Sequence, residues 1–286
     1  MKTAIMTDSN CGIFPEEGKK RGLFVLPMPV ILDGKEYFEG VDLDHKSFYQ
    51  RLEADADAST SQPAPGDVLA LWESVLDQGY DEIVHIPMSS GLSASYQTAL
   101  GLADEWKGKV RVVDNHRVSV TQYDSVMDAL ALQAQGKTAD QIKAELERTG
   151  LESVIFLGVD TLKFFKKNGR CTAATAALGT VLNIKPLLKC DGERFDAVAK
   201  VRGTAGCRKK LLEAAVEAAD ELRAGGPVSI GVAGSFSDTA EDRAWFEEVQ
   251  AAFPGDQLHF EPLSFSVACH TGPNAFGLGI SRRVAL

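Results

Sequence analysis

The chain has 286 residues, 44% hydrophobic and 24% charged, an ordinary globular balance that excludes disorder and allows one large domain or two of usual size. Forty acidic residues against thirty basic ones give a formal net charge of −10, which makes nucleic acid a poor partner. Apolar runs such as Phe24 to Leu32 are too short to span a bilayer, and Asp8 arrives too early for a secretory leader, so the expectation is a soluble, cytoplasmic protein without stable membrane insertion.

The first half alternates between strand and helix patterns. Thr3 to Thr7 is β-leaning and ends at Asp8-Ser9, and Pro15 sits where a first helical turn starts. Phe24 to Leu32 reads as one extended edge or irregular strand because of Pro27 and Pro29, and Asp33-Gly34 is a turn signal. His45 to Ala54 carries Phe48, Tyr49 and Leu52 on one side, and Pro65 opens a helix with Val68, Leu69, Trp72, Val75 and Leu76 at helical spacing. Glu82 to Ile86 and Val110 to Val113 read as buried strands, and two helices fill Ser119 to Arg148. Strands separated by helices imply a parallel sheet, and ligands bind beyond the carboxyl ends of such strands. Asp8-Ser9, Ser89 to Ser93 and Asp114 fall at those ends and are expected on one rim.

Around Gly150 the pattern restarts. Val154 to Val159 is a strand, and Leu162 to Leu182 is helical in places with a break at Asn168-Gly169. Asp191-Gly192 marks a hairpin, and Arg208 to Arg223 forms an amphipathic helix. Val228 to Ala233 and Leu258 to Leu263 read as strands around a helix over Asp238 to Phe253. Ser264 to Cys269 is strand-like, and Leu278 to Val284 is a β-leaning tail. The expected architecture is α/β in two domains. Residues 1–152 form a Rossmann-like parallel-sheet domain, and 153–286 a mixed α+β domain.

Chemistry concentrates in a few segments. Met88 to Ser95 is a Ser/Gly turn after a strand, with a helix read as opening on Ser93, and helix N-termini hold anions. On this segment alone, the plainer reading of Ser93 as a cap and Gly91 as a turn residue is favoured. Thr60-Ser61-Gln62-Pro63 places hydroxyls before a proline-opened helix, and His270-Thr271-Gly272-Pro273 places a histidine at a sharp turn. The five cysteines (Cys11, Cys171, Cys190, Cys207, Cys269) lack a C-x-x-C pair and the five histidines lack H-x-x-x-H spacing, so neither a disulfide framework, a metal nor a cofactor is expected.

These segments, with Thr7-Asp8-Ser9, Asn168-Gly169-Arg170 and Leu182 to Leu188, occur in an order that resembles the DegV family, which includes the fatty-acid-binding subunits of bacterial fatty acid kinase. The resemblance covers essentially the whole chain. It implies a non-enzymatic carrier that buries one long-chain fatty acid, such as palmitate, between its domains. The carrier presents the carboxylate to a separate kinase that forms the acyl phosphate, feeding phospholipid synthesis. By the same resemblance Thr60, Ser93 and His270 bind the carboxylate, while Ser61, Ser90, Gly91, Ala94, Asp8 and Thr271 support the rim. Arg170 and Arg202 would face the kinase.

Three rival readings stand beside it. Ser93, Asp114 and His270 follow the Ser, Asp, His order of α/β hydrolases, although Ser95 replaces the second glycine of the G-x-S-x-G elbow. A phosphate or nucleotide binder would use the same helix start, but neither phosphate-loop nor dinucleotide fingerprint is present. A pure interaction module predicts no co-purifying ligand.

Overall fold

A computed structural model describes residues 1–106, 108–178 and 183–285. Leu182, which opens the 182–188 motif, lies outside them. The chain begins β1 (Thr3–Asp8), a 3-10 turn at Ser9–Cys11, α1 (Pro15–Lys20), β2 (Leu23–Leu26), β3 (Pro29–Leu32), β4 (Lys35–Phe38), α2 (His45–Glu53) and β5 (Ala58–Thr60). It continues with α3 (Pro65–Asp77), β6 (Glu82–Ile86), α4 (Ser95–Ala103), β7 (Val110–Val112), α5 (Val120–Ala134) and α6 (Ala139–Gly150). Strands β2-β1-β6-β7 form an all-parallel sheet. Its central strands are buried along their whole length, as sheets covered on both faces require. Strands β4-β3-β5 form a small antiparallel sheet.

The expected single strand over Phe24 to Leu32 is therefore two strands in different sheets. Pro27 and Met28 separate them, and only β2 joins the parallel sheet. The Asp33-Gly34 turn does close a hairpin, with φ of 52° and 79° at the two positions, which is the twist a two-residue hairpin needs.

The second half contains β8 (Ser153–Gly158), α7 (Lys163–Asn168), α8 (Ala173–Ala176), β9 (Ile184–Cys190), β10 (Asp196–Arg202), α9 (Thr204–Arg223) and β11 (Val228–Gly234). After these come α10 (Thr239–Ala252), β12 (Leu258–Phe260), α11 (Phe265–Thr271) and β13 (Phe276–Arg282). Six strands build one mixed sheet in the order β10-β9-β8-β13-β11-β12. The strand-like stretch Ser264 to Cys269 is a helix instead. Ser264 caps it, its hydroxyl accepting the Val267 N–H, and α11 carries His270 in its last turn.

Helix α5 packs against β1 on one side and against β11 and β13 of the mixed sheet on the other. Glycines permit that approach: a Cβ at Gly279 would meet Thr121, and one at Gly231 would meet Val120. The chain is thus a mixed α/β protein with a parallel-sheet region and a separate mixed sheet. Among the described residues no helix is long and apolar enough to cross a membrane.

Candidate functional site

The carboxyl ends of β1, β6 and β7 gather as expected. Asp8 is fully buried, and its carboxylate accepts the N–H of Met88 at 2.8 Å, the side-chain amides of Asn10 and Gln122 at 3.0 Å each, and the N–H of Asn10 at 3.1 Å. Burial pushes the Asp8 carboxyl up, and these donors pull it back. Asp114 accepts the Ser90 N–H at 3.4 Å, and the Ser89 hydroxyl donates to the Gly192 carbonyl in the β9–β10 turn. That turn presses on Gly91, where a Cβ would lie 2.6 Å from the Gly192 carbonyl oxygen and from the Glu193 carboxylate.

Ser93 does not open the helix. Helix α4 starts at Ser95, after Ala94 in helical conformation. The Ser93 hydroxyl accepts the Ser95 N–H at 3.1 Å and shares a hydrogen bond with the Ser95 hydroxyl at 2.7 Å. The helix thus starts one residue later than a Ser93 cap would place it, and the Ser93 hydroxyl still satisfies one of its first free N–H groups.

Beyond this rim lies a cavity whose empty space, counted together with its open mouth, is about 800 Å³. Its polar lining comes from β5 and the loop after it (Thr60, Ser61, Gln62), from the loop after β6 (Ser93) and from α11 (Ser266, His270, Thr271). Its apolar lining comes from the mixed sheet and α7, including Ile155, Leu157, Leu278 and Phe165. Thr60 Oγ1 and His270 Nε2 share a hydrogen bond of 2.9 Å. Burial, with the nearby Arg170 charge adding to it, pushes the His270 pKa down to about 3, so the ring is neutral near pH 7. Nδ1 of the same ring is buried without a partner among the described residues. A proton on Nε2 leaves Nδ1 as an unpaired acceptor, which is tolerated better than an unpaired donor. In that tautomer His270 donates to Thr60, and the Thr60 hydroxyl proton is free for a ligand.

Arg170 is the one charged side chain lining the cavity among the described residues. It follows Gly169, which ends α7 at φ 68°, and its guanidinium donates to the Asn168 carbonyl at 2.6 Å. Burial and the charge of Arg194 lower its pKa.

The structure thus brings Thr60, Ser61, Ser93, His270, Thr271 and Arg170 to one cavity. Asp8, Ser90, Gly91 and Ala94 do not line it; they shape the rim behind it. Arg202 is exposed at the end of β10, away from the lining. The hydrolase arrangement does not assemble. His270 bonds Thr60, Ser93 bonds Ser95, and Asp114 accepts the N–H groups of Ser90 and His116, so the three share no hydrogen bond with one another among the described residues.

Sequence reasoning passed over Asn10, Ser119 and Ser266, which also line the cavity. Ser119 enters α5 at φ 55° and ψ −134°, a region side chains avoid and one that collects at functional sites. Nothing in composition or spacing marks any of the three.

The family model described as "Uncharacterised protein, DegV family" matches residues 2–283. The chain belongs to the DegV family. A DegV domain-containing protein of Deinococcus radiodurans is 32% identical over 98% of both chains, and one from Listeria monocytogenes is 30% identical over 97% of both. Among solved structures, a DegV family protein of Thermus thermophilus, described as fatty-acid-binding, superposes with a TM-score of 0.86 at 28% identity, over 98% of this chain and 99% of that one. DegV of Bacillus subtilis, described as a fatty acid binding protein, gives 0.83 at 26%, again over 98% and 99%.

Proposed function

We propose that this DegV chain binds one long-chain fatty acid, palmitate or a near homologue, in the cavity. Thr60, Ser93 and His270 hold the carboxylate, and the apolar lining holds the tail. The observation that carries this reading is the hydrogen-bonded Thr60–His270 pair in a cavity whose other wall is apolar. Fatty-acid binding by solved relatives supports it.

The magnitudes agree with the role. Burying about 14 methylenes at roughly 0.8 kcal/mol each gives on the order of 11 kcal/mol before ordering costs, enough for tight binding. The carboxylate then needs only orientation. Neutral donors at Thr60, Ser93 and His270 provide it, and so leave the oxygens nucleophilic. Exposed Arg202 and cavity-lining Arg170 face a partner fatty acid kinase, which forms the acyl phosphate for phospholipid synthesis in the cytoplasm. The chain itself is a carrier rather than a catalyst, with residues 1–152 and 153–286 as its two domains.

Native mass spectrometry of the full chain, followed by extraction and identification of bound lipid, tests the first step. One acyl chain per polypeptide is expected, and a protein that arrives empty and ignores added palmitate overturns the reading. Incubating loaded protein with ATP and a DegV-associated kinase tests the second. Acyl phosphate should form only when both proteins are present.

A further inference from the structure

Glu39 lies in the turn after β4 and has no solvent-accessible surface, an uncommon place for a carboxylate. One of its oxygens accepts the Ser9 hydroxyl, and the other accepts the backbone N–H of Ser266 in the first turn of α11. Ser9 Oγ also accepts the Met28 N–H at 2.8 Å, which leaves its own proton for Glu39. The Glu39 N–H donates to the Met28 carbonyl at 3.2 Å.

Two routes lead from this carboxylate to the ligand-holding pair. Ser266 precedes His270 by four residues on one short helix, so whatever fixes the start of α11 fixes the His270 ring one turn on. Met28 leads into β3, and β3 pairs with β5 so that Val30 stands opposite Thr60. Both members of the Thr60–His270 hydrogen bond are therefore tied to a single buried acid that touches neither. We propose that Glu39 is a positioning residue that sets the Thr60–His270 geometry of the carboxylate site. The geometric claim can be read in ligand-free protein; its consequence for affinity rests on the fatty-acid reading.

Two hydrogen-bond donors aim at Glu39, so its ionised form satisfies both, whereas a protonated carboxyl has to turn the Ser9 hydroxyl round to donate to it. Burial pushes its pKa up to about 7, and the two donors and the charge of Asp8 modify that. The titratable groups facing it are Asp8 on β1, Tyr49 on α2 and Cys269 on α11, and burial raises all three. The His270 ring, neutral throughout, should then report a titration near pH 7 that is not its own.

The experiment is a series of nitrogen-15 histidine spectra of the ligand-free full chain from pH 5.5 to 8.5, with Glu39→Gln alongside. The wild-type His270 ring signals should keep neutral-imidazole values and move in one step near pH 7. In Glu39→Gln, where the amide satisfies Ser266 and turns Ser9 round, the signals should stay at the wild-type low-pH position at every pH. Ser9→Ala removes one donor but leaves the acid, so it should move the midpoint upward. This second variant keeps the test available if Glu39→Gln does not fold. A step that persists in Glu39→Gln, a midpoint that Ser9→Ala leaves in place, or His270 signals at pH 8.5 that Glu39→Gln leaves at their wild-type values overturns the proposal. Palmitate titration of the same samples should show at least a threefold loss of affinity in Glu39→Gln. Absence of palmitate binding by the wild type would instead overturn the fatty-acid reading and leave the His270 result standing.

Discussion

At the scale of single residues, the proposed carboxylate holders Thr60, Ser93 and His270 are neutral, and Arg170 is the one charged side chain beside them in the lining among the described residues. A hydroxyl donating to a carboxylate contributes about 1.5–3 kcal/mol. Thr60→Val keeps the shape and removes that donor, so palmitate affinity should fall roughly 10- to 100-fold, while Thr60→Ser stays near wild type. Displacement of a fluorescent fatty acid measures both, and an unchanged Thr60→Val would remove Thr60 from the site. Burial also lowers the pKa of His85 to about 3, where it lies edge-on to Trp72. His85 and His270 are thus neutral in the folded chain and titrate near 6.5 when unfolded. Their contribution is fully present above that value and is lost as pH falls toward 3. At pH 5 each lowers stability by about 2 kcal/mol. His85→Leu should therefore flatten the fall in melting temperature between pH 7 and 5, and an unchanged slope would mean His85 is charged in the fold. Thr60, Ser93, Arg170 and His270 were singled out through the family resemblance rather than by residue type or spacing, and all four line the cavity. Glu39 was not singled out, since an acid between Phe38 and Gly40 looks like any solvated turn until the structure buries it.

At the scale of elements, local signals fixed most boundaries, and tertiary choices overrode the rest. Pro65 does open α3, and Gly169 does close α7. The run Phe265 to His270 has no helical stripe visible from its neighbours, because α11 is buried on most sides and its amphipathic pattern is erased. Only Ser264, as a cap, hints at it. Phe24 to Leu32 failed differently: one apolar run served two sheets, a division periodicity cannot express. The loop after β6 matters as a surface for the β9–β10 turn. A Cβ at Gly91 has no room against that turn. Gly91→Ala should thus force the hairpin away and cost about 1–3 kcal/mol. Thermal unfolding with and without palmitate checks this. A variant as stable as wild type would show that the hairpin does not rest on this loop.

At the scale of the whole molecule, the contacts that cross the expected boundary at residue 152 were not legible. The Arg117 guanidinium is fully buried in the first half. It donates to the carbonyls of Thr149 at 2.7 Å, of Gly150 at 3.3 Å and of Arg282 at 3.2 Å, and to the Ser125 hydroxyl at 3.2 Å. Nearby, Asp128 on α5 accepts the Arg283 side chain at 2.6 Å and the Val284 N–H at 3.2 Å. Val284 then joins the apolar cluster around Ile5 and Val84. The segment that follows β13 thus packs into the core of the parallel-sheet region, so side-chain and backbone contacts tie the two regions together across residue 152. Burial lowers the Arg117 pKa, while Asp124 and Asp128 pull it back. Arg117→Met would leave those acids with less compensation and several buried acceptors unpaired, a loss of about 3–5 kcal/mol. Calorimetry of the wild type should show one transition that includes both sheets. The variant should keep a single transition lowered by roughly 10 °C, because α5 still packs on both sheets. Two separate transitions in the wild type would mean that the halves fold independently and that the tail merely rests on its neighbour.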